Sequence, residues 1–473
     1  MKRTKHFCLI VLASALLASC ATYHPRPISP ATTATAFNAR SLDDPGLLAF
    51  LQTNGVAAPA RSDAWDLKTL TLTAFFYEPS LAEARAQLLA ARAAEITAGQ
   101  RPNPSLSVTP GYDSQIPGAP SPWIVPVSMD WPIETDGKRG DRVARARALS
   151  EAARWDLIAA VWRVRGQVRA ALLNVFAARE TAALLEAGET AQSNVVRLLT
   201  GQFEAGNVSS YEVTQAQIGL DTTRLARQAA IGQYQQARVQ LASAIGLPLR
   251  ALAGAKFSMA PFNRFPRQLT RPDVRRRALL ARADVRAALA QYAASQAALK
   301  LEIANQYPDI HLGPGYSWNS GSAGDNEWDL GLTLTLPILN QNQGAIADAR
   351  ARRAVAAAHF LAVQAAAIGQ IDSALAGYRA ALEQVTTATA LLANLRKQLD
   401  SIKAQALAGE AGPLEVANAR VAFDSGSRDQ LNALIQAQQA LGLLEDAMQS
   451  PLTLKPAALR AAQTHFSKIS MNP

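Results

Sequence analysis

Between Trp328 and Leu336 the chain alternates strictly. Trp328, Leu330, Leu332, Leu334 and Leu336 fall on one face of an extended chain, and Asp329, Gly331, Thr333 and Thr335 fall on the other. This period of two predicts a β-strand with one apolar and one polar face. Its length suits one tilted pass through a bilayer, and it also suits a strand covering one side of a soluble core. Weaker versions of the pattern occupy 103–113, with Leu106 and Val108, then 123–132, with Val125, Val127, Met129 and Trp131, and 308–318. Pro126 interrupts the second of these and would remove a ladder hydrogen bond unless it stands at an edge or an irregularity.

The rest of the pattern is helical. Leu81, Ala84, Leu88, Ala91 and Ile96 recur near helical spacing in a segment from Thr69 to Gln100, which Pro102 ends. From Asp141 to about Thr200 there is no proline. Such a helix would be roughly 90 Å long at 1.5 Å per residue, and it needs partners along its length, as in a coiled coil or a helical tunnel. A turn at 201–210 leads into a return helix, Tyr211 to Ile245, with Gly246 and Pro248 as stop signals.

The second half repeats the first at an offset of 203 to 205 residues. Pro104, Gly111 and Tyr112 recur as Pro308, Gly315 and Tyr316, while Pro132 and Ile133 recur as Pro337 and Ile338. Arg145, Ala146 and Arg147 recur as Arg350, Ala351 and Arg352. A helix from Ala345 to about Leu407, a turn at 409–413 and a return helix from Leu414 to Met448 complete the copy. The predicted division is a first repeat at 69–250, a linker at 251–271 and a second repeat at 272–450, followed by a tail at 451–473. Within the repeats, strands are expected at about 103–113, 123–132, 308–318 and 328–338, and helical hairpins at 138–246 and 344–449.

If the strands lie in hydrocarbon, four per chain cannot close, and open edges there leave backbone groups unpaired at several kcal/mol each. Twelve strands from three chains close around water, whereas eight from two chains would be filled by side chains. The expected fold is therefore a mixed α/β membrane protein, internally duplicated: a trimeric 12-stranded barrel, four strands per chain, continued by a long α-helical barrel.

At the N-terminus, Arg3 and Lys5 precede the apolar run Phe7 to Leu17, the layout of a secretory signal over 1–19. Leu17, Ala18, Ser19 and Cys20 resemble a bacterial lipobox, which implies acylation of Cys20; Ala21 in the next position resembles lipoproteins sent to the outer membrane. Cys8 is the other cysteine and would leave with the signal. Residues 20–68, rich in Pro, Ala, Thr and Ser, read as an acylated tether with one short helix around Leu47 to Thr53.

Composition narrows the chemistry. A chain of 473 residues with 49% hydrophobic residues is not disordered, and its +10 charge is spread as scattered arginines, not gathered into a nucleic-acid patch. His6, His24, His311, His359 and His465 show no ligand spacing, and no HExxH element or Gly-rich phosphate loop is present. No enzyme activity, cofactor or metal site is expected. His311 should be satisfied locally within its strand. The carboxylate pairs Glu134 with Asp136 and Asp325 with Glu327 are expected to be solvated surface groups.

Over about 70–450, the duplicated module resembles the outer membrane efflux protein family, the TolC-like outer membrane factors of tripartite pumps. The resemblance implies a homotrimer in outer-membrane lipid, a periplasmic helical tunnel, a periplasmic adaptor protein and an inner-membrane RND-type transporter. The run LPILNQNQGAIADAR, Leu336 to Arg350, resembles the branch serving cobalt, zinc and cadmium or copper efflux; Asn342, Gln343 and Gly344 fit, while Gln341 stands in place of a basic residue. The resemblance also implies a periplasmic gate near the hairpin turns, with Glu415 at a family carboxylate and Asn418 where some members carry a second one; Glu410 is an extra acid in the same turn, Glu212 matches Glu415 by the internal repeat, and Gly206, Asn207, Gly409 and Gly412 fall in adaptor-docking turns. Three copies of one carboxylate around a pore would favour cations and repel one another. Glu415 and Glu212 read equally as first-turn acids on a helix dipole. The competing function is a periplasmic-facing lipoprotein that acts as a coiled-coil adaptor or structural spacer and has no pore.

Overall fold

A computed structural model describes residues 22–56, 64–112, 123–263, 265–266, 271–319 and 327–452. The signal segment, Cys20, Asp325 and the tail from 453 onward lie outside these residues.

The expected tether is docked, not loose. Helix α1 (Pro30–Ala39) buries nothing, but α2 (Pro45–Thr53) starts on a capping Asp44, whose Oδ1 accepts from Gly46 N at 2.7 Å, and fully buries Leu47 and Leu51. Between them Arg40 donates to the carbonyls of Tyr77 at 3.0 Å and Gly246 at 2.7 Å. Both carbonyls end helices, where backbone acceptors lack intrahelical partners and a cation is favoured. Strand β1 (Ala64–Trp65) follows.

The helix expected over Thr69 to Gln100 is two helices, α3 (Leu67–Tyr77) and α4 (Pro79–Gly99). Glu78 is extended, ψ 119°, because the ring of Pro79 excludes the α conformation from the residue before it. Strands β2 (Ser105–Val108), β3 (Gly111–Tyr112) and β4 (Trp123–Ile133) come next, then the paired long helices α5 (Lys138–Glu204, 67 residues) and α6 (Ser210–Ile245). The expected linker holds two 3₁₀ turns and β5 (Lys256–Phe257), which pairs in parallel with β1.

The second set runs α7 (Arg271–Ala281), α8 (Ala283–Ala304), β6 (Ile310–Asn319), β7 (Glu327–Leu334), α9 (Gln343–Leu407, 65 residues) and α10 (Pro413–Met448). The stretch from Pro272 to Ala304, expected from the repeat to be a single helix, is likewise broken, at Arg282, whose guanidinium donates to Ala447 O at 2.9 Å and Gln370 Oε1 at 2.8 Å. The strand expected to reach 338 ends at Leu334, the partner of the first β6 residue, Ile310.

The four long strand segments form one antiparallel sheet in the order β2–β4–β6–β7, with β3 continuing β2 along β4. Pro126 sits in an inner strand, opposite the break between β2 and β3. Its carbonyl accepts from Thr109 N at 3.3 Å, so its ring nitrogen faces the same interrupted stretch and displaces no ladder bond.

Apolar packing concentrates at a waist partway down the helices. Leu47, Leu70, Phe75, Val164, Val168, Leu172, Leu241, Ile245 and Phe262 join one cluster, while Ile371, Leu375, Tyr378, Leu441, Leu444 and Met448 join a second. Among the described residues α9 is the one helix long and apolar enough by composition to cross a membrane, and its apolar stretch is mostly exposed in the single chain.

Candidate functional site

The sheet sorts its side chains by chemistry. Because all three ladders keep an unbroken register, Leu106, Val108, Val127, Met129, Trp131, Leu312, Tyr316, Trp328, Leu330, Leu332 and Leu334 share one face. That face is uncovered: Trp328 is 80% exposed, Leu330 73% and Leu332 66%. Aromatic rings gather at its loop end, with Tyr112 and Trp123 at 5.3 Å and Tyr316 and Trp328 at 4.7 Å, and Trp131 stands near the helix end. The opposite face carries Ser107, Ser128, Asp130, His311, Ser317, Asp329 and Thr333. There His311 Nδ1 lies 2.9 Å from Asp130 Oδ1, so the histidine is satisfied locally, and the Asp329 carboxylate lies over Gly315 where a side chain would otherwise stand. The described residues of β2–β4, β6 and β7 include no Lys or Arg.

Beneath the sheet the two sets of elements are strapped together. Lys138, buried at the start of α5, donates to Tyr307 O at 2.6 Å and to Asp309 Oδ1 at 2.7 Å. Burial pushes the Asp309 carboxyl up, but the bonds from Lys138 and from Thr135 N outweigh it and hold that carboxyl below its usual value. Glu134, expected to be a solvated surface acid, is instead clasped by both terminal nitrogens of Arg142, because the turn into α5 brings that arginine back beside it. Asn342 takes the left-handed conformation, φ 61°, before α9 and donates to Glu302 O at 2.8 Å and Oε2 at 2.9 Å.

At the waist, α5 and α10 cross through a buried ionic cluster that the sequence reading missed. Arg165 Nη2 lies 2.8 Å from Glu445 Oε2, and Arg169 Nε lies 3.5 Å from the same oxygen. Arg165 is 1% exposed and Glu445 is fully buried. Arg169 also donates to Gln438 O at 2.7 Å and Oε1 at 2.8 Å, and Leu452 N donates to Glu445 Oε1 at 2.7 Å. Burial works against the Glu445 charge, but Arg165 and Arg169 overcome it and hold this carboxyl below its usual range. Its neighbour Asp446 is pushed up to about 6, chiefly by burial. Asp446 Oδ1 is buried with no hydrogen-bond partner among the described residues, and the carboxylate lies against Gly166 beside a notch lined by Trp162, Arg163, Gln167 and Gln449. One signal was available in the sequence: Arg165 and Arg169 interrupt the apolar stripe Val161, Val164, Val168 and Leu172 at helical spacing.

The hairpin turns lie at the ends of the long helices remote from the sheet. Gly206 and Gly409 both take left-handed φ, 76° and 81°, which glycine adopts without steric cost. Asn207 N donates to Gln202 O and Glu410 N to Gln405 O, both at 2.8 Å, closing equivalent helix ends. Glu212 Oε2 accepts from Ser209 N at 2.8 Å, and Glu415 Oε2 accepts from Gly412 N at 2.7 Å. Each glutamate therefore caps its own helix. Asn418 lies about one turn beyond Glu415, and Glu212, Glu410, Glu415 and Asn418 are all exposed in the single chain. Among the described residues no group of three or more His, Cys, Asp and Glu side chains is arranged to hold a metal.

Comparison with known proteins agrees with this architecture. The family model for outer membrane efflux proteins matches residues 77–247 and 274–448. The cobalt-zinc-cadmium resistance protein CzcC of Cupriavidus metallidurans is 26% identical over 216 residues, covering 46% of this chain and half the length of that relative. The pyoverdine export outer membrane protein OpmQ of Pseudomonas aeruginosa is 26% identical over 331 residues, covering 63% of this chain and 69% of that one. The outer-membrane channel OprN superposes with a TM-score of 0.67 at 18% identity, covering 92% of this chain and all of that one, a likeness of fold. The family model thus matches over most of the chain, on both sets of helices and strands, and the protein belongs to the outer membrane efflux protein family, whose members are channels and not enzymes.

Proposed function

We propose that the protein is the outer-membrane exit duct of a tripartite efflux system, in which three copies pool their strands into a 12-stranded barrel. The observation that carries this reading is the sheet: one face wholly apolar and uncovered, the other polar, with β2 and β7 left at its edges. An open sheet with such a face is stable neither in water nor in lipid, whereas closure removes both edges. The 11-residue β4, tilted by 45°, spans about 25 Å, the height of the apolar band of an outer-membrane barrel. The exposed apolar stretch of α9 supports the same symmetry, since a neighbouring copy would cover it.

In this reading the helical hairpins form a periplasmic tunnel, the two matched segments are an internal duplication, and 251–271 joins them. An adaptor protein docks at the turns containing Gly206, Asn207, Gly409 and Gly412 and links the duct to an inner-membrane RND-type transporter, which supplies the energy. The sequence at Leu17 to Cys20 supports removal of 1–19 and acylation of Cys20, which tethers 20–68 to the membrane. Glu415, with Asn418, Glu410 and Glu212, forms the cation-favouring constriction. Capping engages Oε2 of Glu415, so Glu415→Gln is expected to weaken cation preference while costing only a few tenths of a kcal/mol at the helix end. Unchanged ion selectivity in that variant would remove Glu415 from the gate.

Heavy-metal cations are the cargo proposed by the Asn342–Gln343–Gly344 run. That run also has a local use in starting α9, and the two relatives carry names for different cargo. Growth of a deletion strain across metal salts and organic toxicants decides the point. The duct itself is tested by mass in detergent and by conductance in planar bilayers. A trimer with discrete channels is expected, and a monodisperse monomer without conductance refutes it.

A further inference from the structure

Charge changes abruptly where the sheet gives way to the helices. The described strands of the sheet hold Asp130, Glu327 and Asp329 and no Lys or Arg. Immediately below stand Arg101, before β2, then Arg139, Arg145 and Arg147 on α5, and Arg350 and Arg353 on α9. All six are exposed; Arg139 Nε donates to Gly99 O at 2.7 Å, and no ion pair joins any of the six to a carboxylate among the described residues. Of the other basic groups near this level, Lys138 pairs with Asp309, Arg142 with Glu134 and Arg352 with Asp348, while Lys300, near the sheet-side end of α8, is exposed and adds to the positive charge.

The geometry aims this charge upward. Helices α5 and α9 both begin at the sheet and run away from it. Every Cα–Cβ bond in a helix tilts toward the N-terminus, so these arginine side chains lean back toward the apolar band. Arg145 and Arg147 lie about 10 to 14 Å along α5, and Arg350 and Arg353 about 10 to 15 Å along α9, at 1.5 Å per residue. Long basic side chains snorkel across such an offset to reach a headgroup layer about 5 to 8 Å thick. Arg145 of the first set corresponds to Arg350 of the second, so closure of three chains repeats that position around the barrel.

We propose that Arg101, Arg139, Arg145, Arg147, Arg350 and Arg353 form a collar that binds anionic phospholipid headgroups of the leaflet nearest the helices. This inference rests on the sheet being a membrane barrel. The occupant is a lipid headgroup because the collar is continuous with the apolar face that would hold the acyl chains. Each arginine near an anionic surface strengthens association by roughly fivefold.

The test uses full-length trimer in detergent, titrated with phosphatidylglycerol and, separately, phosphatidylethanolamine, with bound lipids counted by native mass spectrometry. Phosphatidylglycerol is expected to bind at least tenfold more tightly, with an advantage that shrinks as salt rises. Replacing Arg145, Arg147, Arg350 and Arg353 by Gln should abolish the preference, whereas replacing them by Lys should keep it, since a phosphate reads either as a positive charge. A control with Arg197→Gln and Arg396→Gln, remote from the sheet, should bind as the parent does. Equal binding of the two lipids, a preference that survives in the Gln variant, or a preference lost in the Lys variant overturns the collar. Conductance on the same samples separates the failures: channels without lipid preference overturn the collar alone, while absence of both trimer and channels overturns the barrel as well.

Discussion

Asp446 should make the waist less stable as pH rises through the weakly acidic range. Its carboxyl is raised from 3.8 to about 6 in the fold, chiefly by burial and against the attraction of Arg165. Between about pH 4 and 6 the folded form therefore keeps a proton that the unfolded form has released, so stability falls with rising pH over that window and stays lowered above it. A shift of about two units corresponds to about 3 kcal/mol. Asp446→Asn imitates the protonated carboxyl and removes the penalty. Hydrogen exchange of the amides around 163–170 and 441–449 measures the local opening on which this acts. At pH 7.5 the variant should exchange on the order of a hundredfold more slowly there than the parent, since 3 kcal/mol is about two decades in an opening constant, and at pH 4.5, near the start of the window, the difference should shrink to roughly sixfold. Glu445, whose carboxyl is held low by the same arginines, does not compete in this window. Equal protection at pH 7.5, or an advantage that persists unchanged at pH 4.5, would refute the account.

Glu445→Gln should cost about 3 to 5 kcal/mol, because Arg165 and Arg169 would remain buried without their counter-charge; a fall in thermal midpoint checks it, and replacing Glu445 and Arg165 together by Met should recover part of the loss. Gly246→Ala should cost at least 1 to 2 kcal/mol, since φ is +78° and a Cβ would stand 2.9 Å from Tyr77 O. Gly232→Ala, within α6 and with nothing near its Cβ, should gain about 0.5 to 1 kcal/mol on the same thermal assay. On β7, Leu332→Arg should cost about 2 to 4 kcal/mol and lower the yield of membrane-inserted trimer, while Thr333→Arg on the opposite face should insert normally.

Long helices, hairpin turns and strand faces were legible because each is a local pattern. A proline-free run announces α5, glycines mark both turns, and strict alternation assigns Leu330 and Thr333 to opposite faces before any partner strand is known. What escaped depends on partners distant in the chain. Arg282 breaks a helix in concert with Ala447, 165 residues away, and Arg165 meets Glu445 across 280 residues. The short helix expected around Leu47 to Thr53 forms, but its burial of Leu47 and Leu51 was not legible, because they join a cluster built largely from α3, α5 and α6. Pro126 looked like a defect in an inner strand and is accommodated because the neighbouring strand breaks opposite it, a matter of register and not of composition. At the turns the family pattern located Glu415 and the internal repeat located Glu212, and the cap bonds expected of a first-turn acid are present at both.

The distribution of buried residues explains why a duct of this design can be rigid at one end and mobile at the other. On α9 burial is dense from Ala367 to Ala381, beside the waist, and toward the turn Leu399 alone is buried. On α6 the buried positions Ala237, Leu241, Ala242 and Ile245 crowd the waist end, and only Leu220 and Ala230 lie nearer the turn. The ionic cluster sits within the dense zone, where separating α5 from α10 would expose paired charges and apolar surface together. At 1.5 Å per residue, the turn after α5 lies nearly 60 Å from Arg165, so a small tilt about the waist becomes a large displacement at the turns. On α5 the buried Leu185, Ala191, Val195 and Leu199 continue toward the turn, so there the hairpin moves as a packed unit, while the sparser burial on α6 and α9 resists such a tilt little within one chain. In the proposed trimer, neighbouring copies and the charge among Glu212, Glu410 and Glu415 would then hold the turns together, so the gate proposed there predicts that charge changes at these glutamates alter the aperture more than changes at the waist.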